Sequence, residues 1–288
     1  MGCRVSPESV VVLSSSSTES ARAYLGESLK GRETIAPLPR VCAELAQLTA
    51  QQATDAAQLA RLIQSDPVLA GELMRVANSP ALRPRMGIVS LQQAVSWLGV
   101  AEVRNIAMAV MLRGEVFVAP GHEPESEELW REAWLAGLWA KEIARERRRQ
   151  VESAFLAALM HRTGAALALK ILSRFELEKR VGLDARGFAD LIVEFEPAFG
   201  RLLMASWLLP KEVQDAACDW RNYRESSQAD LAGTVHAAHL LANHTLHPEL
   251  LDEGVVLESP VFEQLGVFPD DRRRMLARRD HVRQLSGI

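Results

Sequence analysis

His161 ends an apolar run that starts at Phe155 and stops at Gly164. An imidazole delivered in this way could ligate a metal or carry a proton near neutral pH. Followed by aspartate, it would read as part of a metal-dependent phosphohydrolase, in which a bound cation activates water. It is followed by Arg162. A guanidinium keeps its proton and has no lone pair to offer a metal. Metal chemistry at His161 must therefore be rebuilt from other residues, or is absent.

Two other concentrations of reactive side chains stand out. His236 and His239 lie three apart, and His244 and His247 repeat the interval. Such a pair puts two imidazoles on one helical face, as zinc sites use, but two ligands do not close a site. His247 precedes Pro248, which places it in a loop, and surface histidines without a role are the expectation. Near the C-terminus, Arg272, Arg273, Arg274, Arg278, Arg279 and Arg283 could hold an anion, with Asp270, Asp271 and Asp280 as the alternative local partners. No phosphate-binding loop, dinucleotide fingerprint, nucleophile elbow or zinc-protease motif is present. Ser79 and Cys42 have no readable base beside them.

The elements that must position these residues are helices. The chain has 288 residues, 48% hydrophobic and 6% aromatic, enough for a sizeable core or two lobes packed as one. Ala and Leu dominate and β-branched runs are few, so the fold class expected is all-α. A net charge of −4, spread along the chain, carries no nucleic-acid or membrane signature. Cys3, Cys42 and Cys218 are far apart, which suits a reducing cytoplasm better than a disulfide framework. No run is expected to reach the roughly 20 apolar residues that span a bilayer. Val10 to Leu13 is too short for a signal-peptide core.

In chain order, residues 1–35 read as a partly disordered arm, with a flexible break at Ser14 to Ser17 and a short helix from Thr18. Residues 36–113 read as a lobe of five short helices. Asp66 and Pro67 start one of them, with Val68, Leu69, Leu73, Val76 and Ala77 on its buried face. Asn78, Ser79 and Pro80 end it, and a loop runs through Arg83 to Gly87. Ser90 to Gln93 is a capping-box pattern, Gly99 a helix stop, and another helix spans Ala101 to Leu112. Gly114 to Glu128 reads as a linker to a second lobe, residues 125–288. That lobe opens with a long helix, Leu129 to Arg148, whose Trp130, Trp134 and Trp139 should mostly pack inward. Pro197 and Pro210 punctuate residues 184–223, Thr234 to Ala242 is an apolar helix, and a last one spans Arg272 to Leu285.

Several signatures occur together in this order: Leu38-Pro39; Leu62 to Leu69 around Asp66-Pro67; Asn78-Ser79; Ser90 to Ala94 followed by Trp97 to Gly99; and Leu159 to Gly164. The set resembles the HDOD family, the bacterial HD-related output domain, over about residues 36–285. The resemblance implies a two-lobed helical bundle whose second lobe is similar to HD phosphohydrolases, and a role as a signalling output or adaptor module that often lacks phosphohydrolase activity.

In that lobe the resemblance places metal ligands where this chain has Glu132, His161-Arg162, Glu196 or Pro197, and Asp219-Trp220. Glu132, His161, Glu196 and Asp219 are legitimate ligand types, but Arg162 would put a positive charge where a dication should sit. The reading is a degenerate site in which Arg162 pairs with Glu132 or Glu196 and His161 is a hydrogen-bonded core residue. The expectation is a non-catalytic regulatory module of the bacterial cytoplasm that needs no cofactor and acts on signalling proteins. A nucleotide second messenger is a candidate ligand, the interlobe cleft a candidate groove, and neither nucleic acid nor membrane is an expected partner. The alternatives are a divergent metal-dependent phosphohydrolase acting on nucleotides or cyclic dinucleotides, and a nucleotide or nucleic-acid binder using the C-terminal arginine-rich helix, with Arg272, Arg273, Arg278 and Arg279 as the possible anion site.

Overall fold

Asp66 shows how the first lobe is written. Its carboxylate accepts the backbone N–H groups of Val68 at 2.9 Å and Leu69 at 3.0 Å, and Pro67 occupies the first turn, where no N–H is needed. The computed structural model describes residues 15–31, 56–80, 82 and 87–286. The readings made at residues 1–14, Leu38-Pro39 and Arg83 to Met86 lie outside them. All regular structure among the described residues is helical.

The first lobe comprises α2 (Ala56–Gln64), α3 (Pro67–Ala77), α4 (Leu91–Leu98) and α5 (Val100–Glu115), closed around Leu59, Ile63, Leu69, Leu73, Val95 and Ile106; a helix before them, α1, spans Ser15–Lys30. Asn78 ends α3 and clasps the far side of the loop. Its amide donates to the carbonyls of Met74 and Ile88 and accepts the N–H of Ile88 at 3.0 Å. Ser90 caps α4, and Gly99, at φ +80°, turns the chain into α5 with a conformation that side-chain-bearing residues avoid. Val68, expected on the buried face of α3, is exposed instead: at the first turn it points away from the lobe core.

The linker expected from Gly114 to Glu128 is much shorter. α5 runs on to Glu115, and α6 (Glu123–Glu146) begins six residues before the expected start at Leu129. Pro124 falls in the first turn of α6, and Glu123 and Glu125 favour that end of the helix dipole. The crossover between is not free, since Val116, Phe117 and Ala119 are buried in the core of the second lobe. Ion pairs Lys141–Glu102, Arg113–Glu127 and Arg104–Glu152 tie the lobes further.

The second lobe packs α6 against α7 (Val151–Met160), α8 (Thr163–Lys179) and α11 (Ala229–Leu246), with α9 (Ala185–Ser206) and α10 (Lys211–Cys218) outside them. The stretch Val151–Lys179 is long and apolar enough to cross a membrane, contrary to the expectation from the sequence, but 83% of that window is buried. A helix surrounded by other helices is apolar on every side without a bilayer. α9 runs straight through Pro197, where a break was expected. Proline removes one N–H and frees the carbonyl four residues back. That carbonyl belongs to Val193, an exposed residue, so water can serve it.

α8 and α9 cross at two glycines. A Cβ on Gly164 would lie 1.9 Å from the carbonyl oxygen of Glu196 and 2.7 Å from the nitrogen of Gly200. α1 docks across the outside of this pair. It includes Ser15 to Ser17, expected as part of a flexible break, because Ala21 and Leu25 bury against Leu172, Phe175 and Phe199. Four short helices complete the lobe: α12 (Glu253–Leu257), α13 (Pro260–Gln264), α14 (Pro269–Leu276) and α15 (Arg279–Ser286). The single last helix expected from Arg272 to Leu285 is thus two, parted at Ala277 and Arg278, which lets Met275, Leu276 and Val282 all reach the core.

Candidate functional site

Six side chains from five segments meet at the break between α7 and α8. His161 is the last residue of the α7 turn and Arg162 the first before α8. Glu132 comes from α6, Glu196 from α9, Arg221 from a 3-10 turn over Trp220–Asn222, and His239 from α11. The close approach at Gly164 is what brings α9, and Glu196 with it, within reach of Arg162.

Arg162 engages both carboxylates. Its Nη1 donates to Glu196 Oε1 at 2.5 Å, and its Nε lies 2.8 Å from Glu132 Oε2. The second contact is ionic but off-line, leaving Nε and Oε2 without a directed hydrogen bond. Arg221 takes the other oxygen of Glu196, which is only 3% exposed, and stacks over Trp220 at 4.1 Å. Two guanidiniums therefore face two carboxylates in a nearly closed space, and the charges cancel. Burial pushes the Glu132 carboxyl up, and the Arg162 charge pulls it part of the way back.

The histidines form a separate chain of hydrogen bonds. His161 Nδ1 donates to the carbonyl of Ala158 at 2.5 Å, so its Nε2 is the accepting nitrogen. His239 Nδ1 donates to that nitrogen at 3.1 Å, and Asn243 donates to His239 Nε2 at 3.0 Å. The tautomers follow from the partners, and both rings are neutral. Burial holds both imidazoles well below their ordinary range, and Arg162 and Arg221 push the same way. Trp220 packs on both rings.

This arrangement carries a pH prediction. An imidazole that stays neutral when folded takes up a proton more readily when unfolded, so stability falls as pH drops below the unfolded value of about 6.5. Each of the two should cost on the order of 1 kcal/mol by pH 5.5. His236, also lowered by burial, adds to the loss; Glu132, raised by burial, and His247, raised by its half-exposed and screened partner Glu128, act the opposite way. Urea unfolding between pH 7.5 and 5.5 measures the sum; a flat profile would contradict neutral imidazoles.

Of the positions read from the sequence, Glu132, His161, Arg162 and Glu196 come together. Asp219 does not. It pairs with Arg201 and accepts from Ser226 at 3.1 Å, because the 3-10 turn that follows presents Arg221, not Asp219, to Glu196. No signal in the sequence marks Arg221, and His239, paired there with His236 as a possible zinc ligand or a surface residue, instead hydrogen-bonds His161. The surface histidines expected on α11 are largely inside: His244 is buried and its Nδ1 donates to the carbonyl of Leu251 at 2.7 Å, while His236 Nδ1 donates to the carbonyl of Trp220 at 3.1 Å. Cys218 is a free thiol pushed up to about 12 by burial, so it stays protonated.

The HDOD domain model matches residues 35–222. The chain belongs to the HDOD domain family. Three solved structures share the fold of this HDOD chain. One, from Shewanella amazonensis SB2B and named as a proposed metal-dependent phosphohydrolase, is 19% identical with a TM-score of 0.72, covering 94% of this chain and 99% of its own. An HDOD domain protein of unknown function from Geobacter sulfurreducens is 17% identical with a TM-score of 0.69, covering 93% and 97%. A proposed signal transduction protein from Marinobacter aquaeolei VT8 is 22% identical with a TM-score of 0.64, covering 97% of this chain and 67% of its own. No curated protein matches.

A metal ion does not fit the HDOD site described above. Both nitrogens of His161 are committed, one to a carbonyl and one to His239. Glu132 and Glu196 face guanidiniums that cannot be titrated away. Among the described residues no three His, Cys, Asp or Glu side chains gather as ligands. The C-terminal arginines are likewise engaged. Arg272 donates to the carbonyls of Val267 and Leu257, Arg273 pairs with Asp270, Arg278 with Glu142 and Glu146, and Arg279 lies against His244 and Asp280.

Proposed function

We propose that this HDOD chain is a non-catalytic regulatory module of bacterial signal transduction, acting in the cytoplasm through protein–protein contacts. The observation that carries the reading is Arg162 set between Glu132 and Glu196. Water activation at phosphorus needs a cation that can bind and polarise a water molecule. A guanidinium supplies the charge without an open coordination position, so the pocket keeps its electrostatic balance and loses its chemistry. The name of the similar Marinobacter protein supports the signalling assignment. Exposed Val89 and Trp97 give the first lobe apolar surface of the kind protein partners use.

Elemental analysis of the purified chain, with turnover assays on a cyclic dinucleotide and a phosphodiester in added Mn²⁺, tests the reading. No stoichiometric metal and no turnover are expected, together with a protein partner recovered by pull-down from the native host. Stoichiometric Fe, Mn or Zn that is lost in His161→Ala would overturn it in favour of a divergent phosphohydrolase.

A further inference from the structure

Where the lobes meet, α3, α5 and α6 enclose a cleft of about 750 Å³. That is within the range of roughly 300–1,000 Å³ that holds small organic ligands. Its floor is aromatic: the Trp130 and Trp134 indoles stack at 6.0 Å, and Phe117 stands edge-on to Trp130. Its two lips are valines that the fold leaves in water, Val68 at 68% exposure on α3 and Val118 at 45% on the crossover. With the indole floor, these valines give the cleft lining a contiguous apolar surface of the kind that marks binding grooves.

The rim sets the charge of that occupant. Three arginines line it, and two are already satisfied. Arg75 is 2.7 Å from Glu72, and Arg113 donates to both oxygens of Glu127 at 3.1 Å. Arg131 is different. Its one ion pair among the described residues is with Glu128 at 4.0 Å, and that carboxylate is held more closely by His247 at 2.5 Å. One guanidinium is therefore available, beside two carboxylates that would repel further negative charge. The bases of a cyclic dinucleotide would stack on such a floor, but its two phosphates exceed the one guanidinium the rim leaves available.

We propose that this cleft is a binding site for a small amphipathic organic monoanion, its apolar body lying on the Trp130–Trp134 floor and its acid group on Arg131. The site lies apart from the Arg162 cluster, so the inference does not depend on whether that cluster is catalytic.

A matched pair of fluorescent probes on the full chain tests it. Anilinonaphthalene sulfonate carries the acid group, and phenylnaphthylamine has the same rings without it. The sulfonate should bind saturably at one site, at least about tenfold more tightly than the neutral probe. Arg131→Gln should remove that difference, and Val118→Asp should weaken both probes. Both substituted positions are half-exposed, so the thermal midpoint should hold. Equal affinity of the two probes, sulfonate binding unchanged in Arg131→Gln, or no saturable binding would each overturn the proposal. The comparison of probes on the unaltered chain decides it even if a variant fails to fold.

Discussion

Gly164→Ala should destabilise the protein by about 3 kcal/mol or more, at the upper end of what overpacking costs. The added methyl would sit 1.9 Å from the backbone oxygen of Glu196. No rotamer change relieves such a contact, because the atom it meets belongs to a helix. α8 and α9 would have to part, and with them the Phe199 and Leu172 packing beneath α1. For a chain of this size the expected fall in Tm is about 6 °C. Ala at Gly137 is the comparison: its methyl would meet ring atoms of Phe155 at 3.1 Å, and a ring edge can give way. Gly137→Ala should therefore cost much less, and equal losses at the two sites would refute the crossing as the reason.

Arg162→Ala should cost about 3 kcal/mol at pH 8, the scale for removing one partner of a buried ion pair. Glu196 would retain Arg221, so the burden falls on Glu132, which is buried and loses its cation. Its carboxyl is raised even with Arg162 present. A carboxyl raised in the folded state favours folding in its protonated form, so the deficit should shrink as pH falls through that raised value. The measurement is the difference in unfolding free energy between Arg162→Ala and the unaltered chain at pH 8 and pH 5. Losing Arg162 also relieves its push on His161 and His239, which shrinks the deficit in the same sense, so the same comparison in a Glu132→Gln background isolates the Glu132 part. A deficit that is constant with pH would mean that Glu132 is not the residue left uncompensated. Arg162→Ala, Glu132→Gln together should recover much of the loss, since neither charge then remains alone.

Much of this architecture is written locally. Asp66 with Pro67, Ser90 with Gln93, and Gly99 are signals whose physics is complete within a few residues, and each element starts or stops where those residues say. The pairing of Arg162 with a carboxylate is also legible, because an unpaired guanidinium in an apolar run has few alternatives. What escapes is set by distance along the chain. His161 meets a ring 78 residues away, and nothing near either histidine announces the other. Asp219 and Arg221 are two residues apart, and only the sense of a short 3-10 turn decides which one reaches Glu196. Pro197 reads as a break because proline removes a hydrogen bond; that Val193, whose carbonyl is freed, lies on the exposed side is set by the assembled bundle.

The buried crossover has a mechanical meaning. Domains joined by an exposed tether swivel independently, and a load on one is lost in the tether. Here the joining residues Val116, Phe117 and Ala119 are part of one lobe's interior, and Lys141–Glu102 bolts the neighbouring helices together. Moving α5 relative to α6 would have to break these contacts. α6 carries Trp130, Arg131 and Glu132 on successive positions, so the cleft and the Arg162 cluster hang from the same rigid rod.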